Sequence, residues 1–222
     1  MACGAQPINR TGRGHREETR RHRVTSAARE RFGREYYRRF YRDGRTSVTS
    51  RREMAARAQL IAAYTRHIDC PVASILDAGC GLGLMRTPLL RALPGATYVG
   101  LEYSEYLCER HGWVQGSVAD FKARQPFDLV ICFDVLQYLD DAAAAQAMSN
   151  LARLCRGVLF FSALTRRDWR ENADQSRTDP DVIMRSAAWY RSRLQRGFRQ
   201  IGAGFWIRRG APLVTWELES AG

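Results

Sequence analysis

Lysine is almost absent from this chain: Lys122 stands alone, and every other basic side chain is arginine. That skew fits a general composition bias as well as it fits phosphate binding. Histidine is sparse and scattered (His15, His22, His67, His111), and the six cysteines (Cys3, Cys70, Cys80, Cys108, Cys132, Cys155) form no C-x-x-C pair and have no histidine at zinc spacing. Neither a metal site nor a disulfide framework is therefore expected, and the thiols read as small apolar groups in a reduced compartment. No stretch approaches the ~18 consecutive apolar residues of a membrane span. No apolar run follows the first charges either, so no secretory signal is expected and the cytoplasm is the default. What remains is ample for one α/β domain, since 45% of the 222 residues are hydrophobic.

The formal charge of +12 is unevenly placed. The first 52 residues carry 15 arginines against five acids, whereas the rest is close to neutral. Residues 1–25 are polar, rich in Arg and Gly and without periodicity, and are expected to be a disordered arm. Such an arm can track a polyanion, but a solvated arm is the more common outcome.

Residues 26–70 read as helices capping a site. Between 27 and 41, Phe32, Tyr36 and Phe40 recur at four-residue spacing with Tyr37 and Tyr41 alongside, an aromatic helix face that Asp43-Gly44 breaks. Ser50-x-x-Glu53 is a capping box opening a second helix, which Pro71 ends. Residues 71–222 then alternate between strand and helix. Strands are predicted at 74–77, 97–101, 113–115, 127–133 and 157–164, with helices at 84–93, 104–111 and 140–154. The near-continuous apolar run 127–133 suits a strand buried on both faces of a parallel sheet. Residues 165–180 read as a loop, and Asp179 with Pro180 as the start of a helix to about 194. The runs 198–208 and 213–219, joined through Arg209-Gly210, read as an antiparallel hairpin. The sum is a seven-stranded, mostly parallel sheet with helices on both faces.

The chemistry concentrates where the first strand ends, in Ile75-Leu76-Asp77-Ala78-Gly79-Cys80-Gly81-Leu82-Gly83. A buried strand running into a Gly-rich turn lets a ligand approach the backbone at the carboxyl edge of an open sheet. A dinucleotide fingerprint would need glycine at 84, where Leu84 stands. The G-x-G-x-G spacing with Asp77 ahead of it instead resembles the class I S-adenosylmethionine-dependent methyltransferases, whose fold is Rossmann-like. That resemblance implies S-adenosyl-L-methionine as cofactor, with Asp77 facing its ammonium and Gly79, Cys80, Gly81 and Gly83 lining it. It also implies that Glu102, at the end of the second strand and 19 residues after Gly83, accepts the ribose hydroxyls, as an acceptor-only carboxylate suits. Tyr103 would flank the ribose or adenine. Gln115-Gly116-Ser117-Val118-Ala119-Asp120 stands where relatives usually have Gly-Asp, which leaves the adenine contact open between Ser117, Val118 and Asp120. Phe133 and Asp134 would sit beside the methionine moiety.

Where relatives often have Glu-His after the fourth strand, this chain has Gln137-Tyr138. The most obvious general base is missing, and both residues are expected in positioning roles. Methyl transfer from a sulfonium is a direct displacement that chiefly needs alignment. The acceptor pocket is sought among Tyr36, Tyr37, Phe40, Tyr41 and Trp169, with Trp189, Arg185 and Arg193 as further candidates. Neither the N/D-P-P-Y/F motif of amino-group methylation on bases nor the Pro-Cys of cytosine C5 chemistry is present, so a small molecule methylated at O or N is the expected substrate. The alternatives are a nucleic-acid methyltransferase using the arginine arm and a cofactor-binding protein without transfer activity.

Overall fold

A computed structural model describes residues 31–42 and 47–219. The arginine-rich arm of residues 1–25 and the Asp43-Gly44 break lie outside the described residues. The helical elements are α1 (Arg34–Tyr37) with a π-turn (Arg38–Arg42), α2 (Arg51–His67), α3 (Arg86–Ala92), α4 (Glu105–His111), α5 (Asp141–Leu154), α6 (Arg166–Glu171) and α7 (Ala187–Leu194). The strands are β1 (Ser74–Ala78), β2 (Thr97–Glu102), β3 (Val114–Gln115), β4 (Phe127–Phe133), β5 (Cys155–Ser162), β6 (Phe198–Gly202) and β7 (Phe205–Arg208).

They form one seven-stranded sheet in the order β3-β2-β1-β4-β5-β7-β6. The first five neighbours are parallel, and β7 is antiparallel to both β5 and β6. The chain order reverses between β1 and β4, so a crevice opens at their carboxyl ends, the usual ligand position in open α/β sheets.

Side chains alternate between two cores, as the period of two requires. Val130, Cys132, Leu159 and Phe161 meet α5 and α7 through Met148, Leu151 and Leu194. Leu129, Ile131, Val158 and Phe160 meet α2 and α3 through Ala58, Ile61 and Leu89 on the other face. Helix α2 begins on the expected capping box: Glu53 N donates to Ser50 Oγ at 3.1 Å, and Ser50 N donates to Glu53 Oε2 at 2.6 Å.

The start of β1 is tied to β4 and β5 by Asp128. Its carboxylate accepts from Ala73 N, Ser74 N and Ser74 Oγ at 2.9–3.0 Å, and from Arg156 Nε at 2.6 Å. Burial alone would push its pKa up; the Arg156, Ser74 and Ala73 bonds together outweigh that and hold it low. Asp128→Ala should cost about 3 kcal/mol in urea unfolding, because three donors and a cation lose their acceptor. A change below about 0.5 kcal/mol, the size typical of a neutral surface substitution, would remove Asp128 from this role.

Three local expectations need correction. The hairpin is β6–β7, not 198–208 paired with 213–219. Gly202, Ala203 and Gly204 all take positive φ (88°, 49° and 85°), which folds the supposed single strand back on itself. The segment 165–180 is not all loop, because Thr165 Oγ1 accepts from Asp168 N and caps α6. No helix starts at Asp179. Its Oδ1 takes Asp181 N in a local turn, Ile183 N pairs with Gln137 O, and the helix waits for Ser186, whose Oγ accepts from Trp189 N. The aromatic stretch is helical, but it widens into a π-turn after Tyr37.

Candidate functional site

The turn after β1 is pinned by the neighbouring strand. Gly79 N and Cys80 N both donate to Leu101 O, at 2.7 and 3.1 Å. Gly79 has φ +84°, and a Cβ there would lie 2.2 Å from Val135 Cγ2, so only glycine fits. Gly81 N donates to Glu102 Oε2 at 2.8 Å. The other carboxylate oxygen accepts from Tyr103 N and Ser104 N at 2.9 Å and from Tyr37 Oη at 3.4 Å. Burial raises the pKa of Glu102 and these bonds oppose the rise.

Two cavities open at the carboxyl edge. The larger, about 750 Å³, is lined by Glu102, Tyr103, Ser117, Val118, Asp120 and Tyr37, among others. The smaller, about 320 Å³, is lined by Asp77, Cys80, Arg57, Gln137, Phe40 and Asp179, among others. Tyr36, Tyr41, Gly79, Gly81, Phe133, Asp134 and Tyr138 belong to both walls, so the cavities meet there.

Acids dominate the charge around the meeting point. Burial lifts Asp77 to about 7 despite the 2.6 Å bond it accepts from Tyr98 Oη. Burial likewise lifts Asp134 to about 6, against the pull of Arg57 and of Ser162 Oγ, 3.3 Å away. Asp134 sits in the left-handed region at φ +56°, a backbone strain that clusters at functional sites. Tyr36 and Tyr138 share a hydroxyl–hydroxyl bond of 2.9 Å. Burial pushes Tyr138 up to about 12, so it is a poor base at neutral pH.

Every cofactor-lining residue expected from the sequence borders a cavity except Gly83. Gly83 instead lies under the Trp113 indole, where a Cβ would come within 2.5 Å of the ring, and Trp113 Nε1 holds Gly81 O at 3.0 Å. Trp169 on α6 borders neither cavity. Arg185 is only 4% exposed. It binds Leu136 O and Leu139 O at 2.9 and 2.6 Å and Asp141 at 2.8 Å, so it braces the Gln137-Tyr138 turn rather than waiting for substrate. Arg193 stacks on Trp189.

The sequence reading missed two residues. Asn150 Nδ2 holds Val118 O and Phe121 O at 3.0 and 2.8 Å, fixing the turn after β3. Arg57 enters the small cavity from α2, its guanidinium carbon 4.0 Å from the Phe133 ring centroid. It is half-buried and donates a hydrogen bond to Met54 Sδ at 3.2 Å. No group of His, Cys, Asp and Glu among the described residues is arranged to hold a metal ion, and no helix there is long and apolar enough to cross a membrane.

Comparison with known proteins agrees with this architecture. Residues 76–157 match the family model of a methyltransferase domain. Malonyl-[acyl-carrier protein] O-methyltransferase of Magnetococcus marinus is 31% identical over 148 residues, 56% of this chain and 54% of that protein. Ubiquinone biosynthesis O-methyltransferase of Bordetella bronchiseptica is 31% identical over 106 residues, 41% of this chain and 43% of that one. The chain thus spans about half the length of the curated relatives it matches. Among solved structures, magnesium protoporphyrin IX methyltransferase from Synechocystis with bound S-adenosylmethionine superposes with a TM-score of 0.55 at 22% identity, covering 82% of this chain and 92% of that one. An O-methyltransferase family protein from Burkholderia thailandensis gives 0.52 at 17% identity, over 82% and 64%. The fold is therefore the Rossmann-like one shared by these enzymes. Residues 76–157 thus carry a methyltransferase domain, on a fold similar to that of S-adenosylmethionine-dependent methyltransferases.

Proposed function

We propose that this chain transfers the methyl group of S-adenosylmethionine to a small molecule, with the adenosine in the larger cavity and the methionine end directed into the smaller one. The observation that carries the reading is the joining of the two cavities at Phe133, Asp134, Tyr41 and Tyr138. A donor lying across that junction exposes its methyl to whatever enters the smaller cavity. Glu102 takes the ribose hydroxyls, and Ser117, Val118 and Asp120 surround the adenine.

The methionine end is a zwitterion and needs both signs of charge. Asp77 supplies the anion for the ammonium. Arg57, which has no ion pair within 4 Å among the described residues and feels only the longer-range pull of Asp134 and Glu53, supplies the cation for the carboxylate. The protein's part in the reaction is to align donor and acceptor and exclude water, so its lack of a histidine at 137–138 is compatible with transfer. Reduced, unpaired thiols among the described residues fit a cytoplasmic enzyme.

Calorimetric titration with S-adenosylhomocysteine tests this site. Asp77→Ala and Arg57→Met should each weaken binding by about tenfold or more, the cost of one charged contact. Wild-type affinity in both variants would overturn the assignment.

A further inference from the structure

We propose that the methyl acceptor is an amine nitrogen, held by Gln137 Oε1 inside the aromatic box of Tyr36, Phe40, Tyr41 and Tyr138. This rests on the methyl-transfer reading above and specifies its substrate class. The four rings and Gln137 all line the smaller cavity. Gln137 is 4% exposed, and its side-chain oxygen is buried without a hydrogen-bond partner among the described residues. A buried acceptor left unpaired costs free energy that an N–H donor on a ligand would recover.

The charges favour the same class. Once Arg57 is engaged by the donor's carboxylate, the charged groups left on this wall are acids: Glu53, Asp77, Asp134 and Asp179. Glu53 is occupied by the capping box and Asp179 by Arg31, 3.7 Å away, whereas Asp134 borders both cavities. An anionic acceptor would be repelled there, while an amine gains from the acids and from the faces of the aromatic rings. Hydroxyl acceptors meet a different obstacle. A hydroxyl donating its proton to an amide oxygen cannot give that proton up to it, and Tyr138 is no base. Bound first as its ammonium, a primary or secondary amine loses one proton to water, keeps an N–H on Gln137 Oε1 and attacks with the lone pair so freed. The nitrogen forms a bond to the methyl carbon, the carbon–sulfur bond breaks with its electron pair going to sulfur, and the N-methylammonium product sheds its proton to water. The relatives named above are O-methyltransferases, so this assignment separates the chain from them.

The test uses the full chain with S-adenosylmethionine carrying an isotopically labelled methyl, a metabolite extract, and a set of primary amines each paired with its alcohol. Carbon NMR of the product distinguishes N-methyl from O-methyl. The expected result is an N-methyl signal. Gln137→Leu should raise KM for that amine by about tenfold, with kcat and S-adenosylhomocysteine affinity little changed, and Gln137→Glu should restore KM. An O-methyl product, or an N-methyl product whose KM ignores Gln137→Leu, overturns the amine assignment and leaves methyl transfer standing. No labelled product from a chain that binds S-adenosylhomocysteine overturns methyl transfer itself, and the amine assignment with it.

Discussion

Replacing Glu102 with alanine is expected to weaken S-adenosylhomocysteine binding by about a hundredfold and to lower stability by about 2 kcal/mol. The two effects share one cause. Three backbone N–H groups, those of Gly81, Tyr103 and Ser104, converge on this carboxylate at 2.8–2.9 Å. It therefore closes the Gly-rich turn against the end of β2 in addition to its proposed contact with ribose. A carboxylate offers about four acceptor positions, and the weaker 3.4 Å bond from Tyr37 Oη is the contact a ribose hydroxyl displaces most readily. Urea unfolding measures the loss of the turn, and calorimetry measures the loss of the ligand contact. Wild-type affinity in Glu102→Ala would remove the residue from the donor site. Unchanged unfolding would show that the N–H groups find water instead.

The parts of the fold that were legible in the sequence are those set by local physics. The capping box at Ser50, the run through β4 with both faces buried, and the caps Asp140 and Ser104 all declare themselves within a few residues. Long-range contacts did not. Asp179-Pro180 looks like a helix start, and what defeats it is the pull of residues 183–185 onto Gln137 O and the α5 N-terminus. Likewise Phe198–Arg208 carries strand composition throughout. Only the positive φ values around Ala203 reveal the turn.

The site divides in the same way. Asp77 and Glu102 border the cavities, and their positions follow from the sequence because a strand-end acid has a fixed place relative to its turn. Gly83 borders neither cavity, and its need for glycine comes from its φ of +65° and from Trp113, thirty positions away in sequence, which also rests on Gly100. Arg57 was hidden for the opposite reason. It is one arginine among many in the chain, and only the packing of α2 on the sheet shows it entering a cavity over Phe133. Tyr36, Tyr37 and Tyr41 all border the larger cavity, and the π-turn that begins after Tyr37 has no signature in their spacing.

Acid should weaken donor binding steeply. Asp77 ionises near 3.8 in an ordinary setting, and burial raises it to about 7 in the chain on its own. For folding, a raised carboxylate contributes stability that is full below the unfolded value and is lost as pH rises through the folded one, so Asp77 favours the fold at low pH. Binding runs the other way. An ammonium beside Asp77 stabilises its charged form, so below about pH 7 binding must release a proton, and affinity falls by up to about tenfold for each pH unit. Asp134, raised to about 6 by burial, adds to the slope for S-adenosylmethionine, whose sulfonium is charged, and not for the neutral thioether of S-adenosylhomocysteine. Between about pH 7.5 and pH 5 the dissociation constant of S-adenosylhomocysteine should therefore rise by about a hundredfold. Calorimetry in buffers of differing ionisation enthalpy should count close to one proton released near the acid end. Asp77→Asn should bind more weakly at neutral pH yet flatten the dependence, because its amide has no proton to lose. A wild-type affinity constant across that range would mean that Asp77 is already ionised in the free chain, and would detach it from the ammonium.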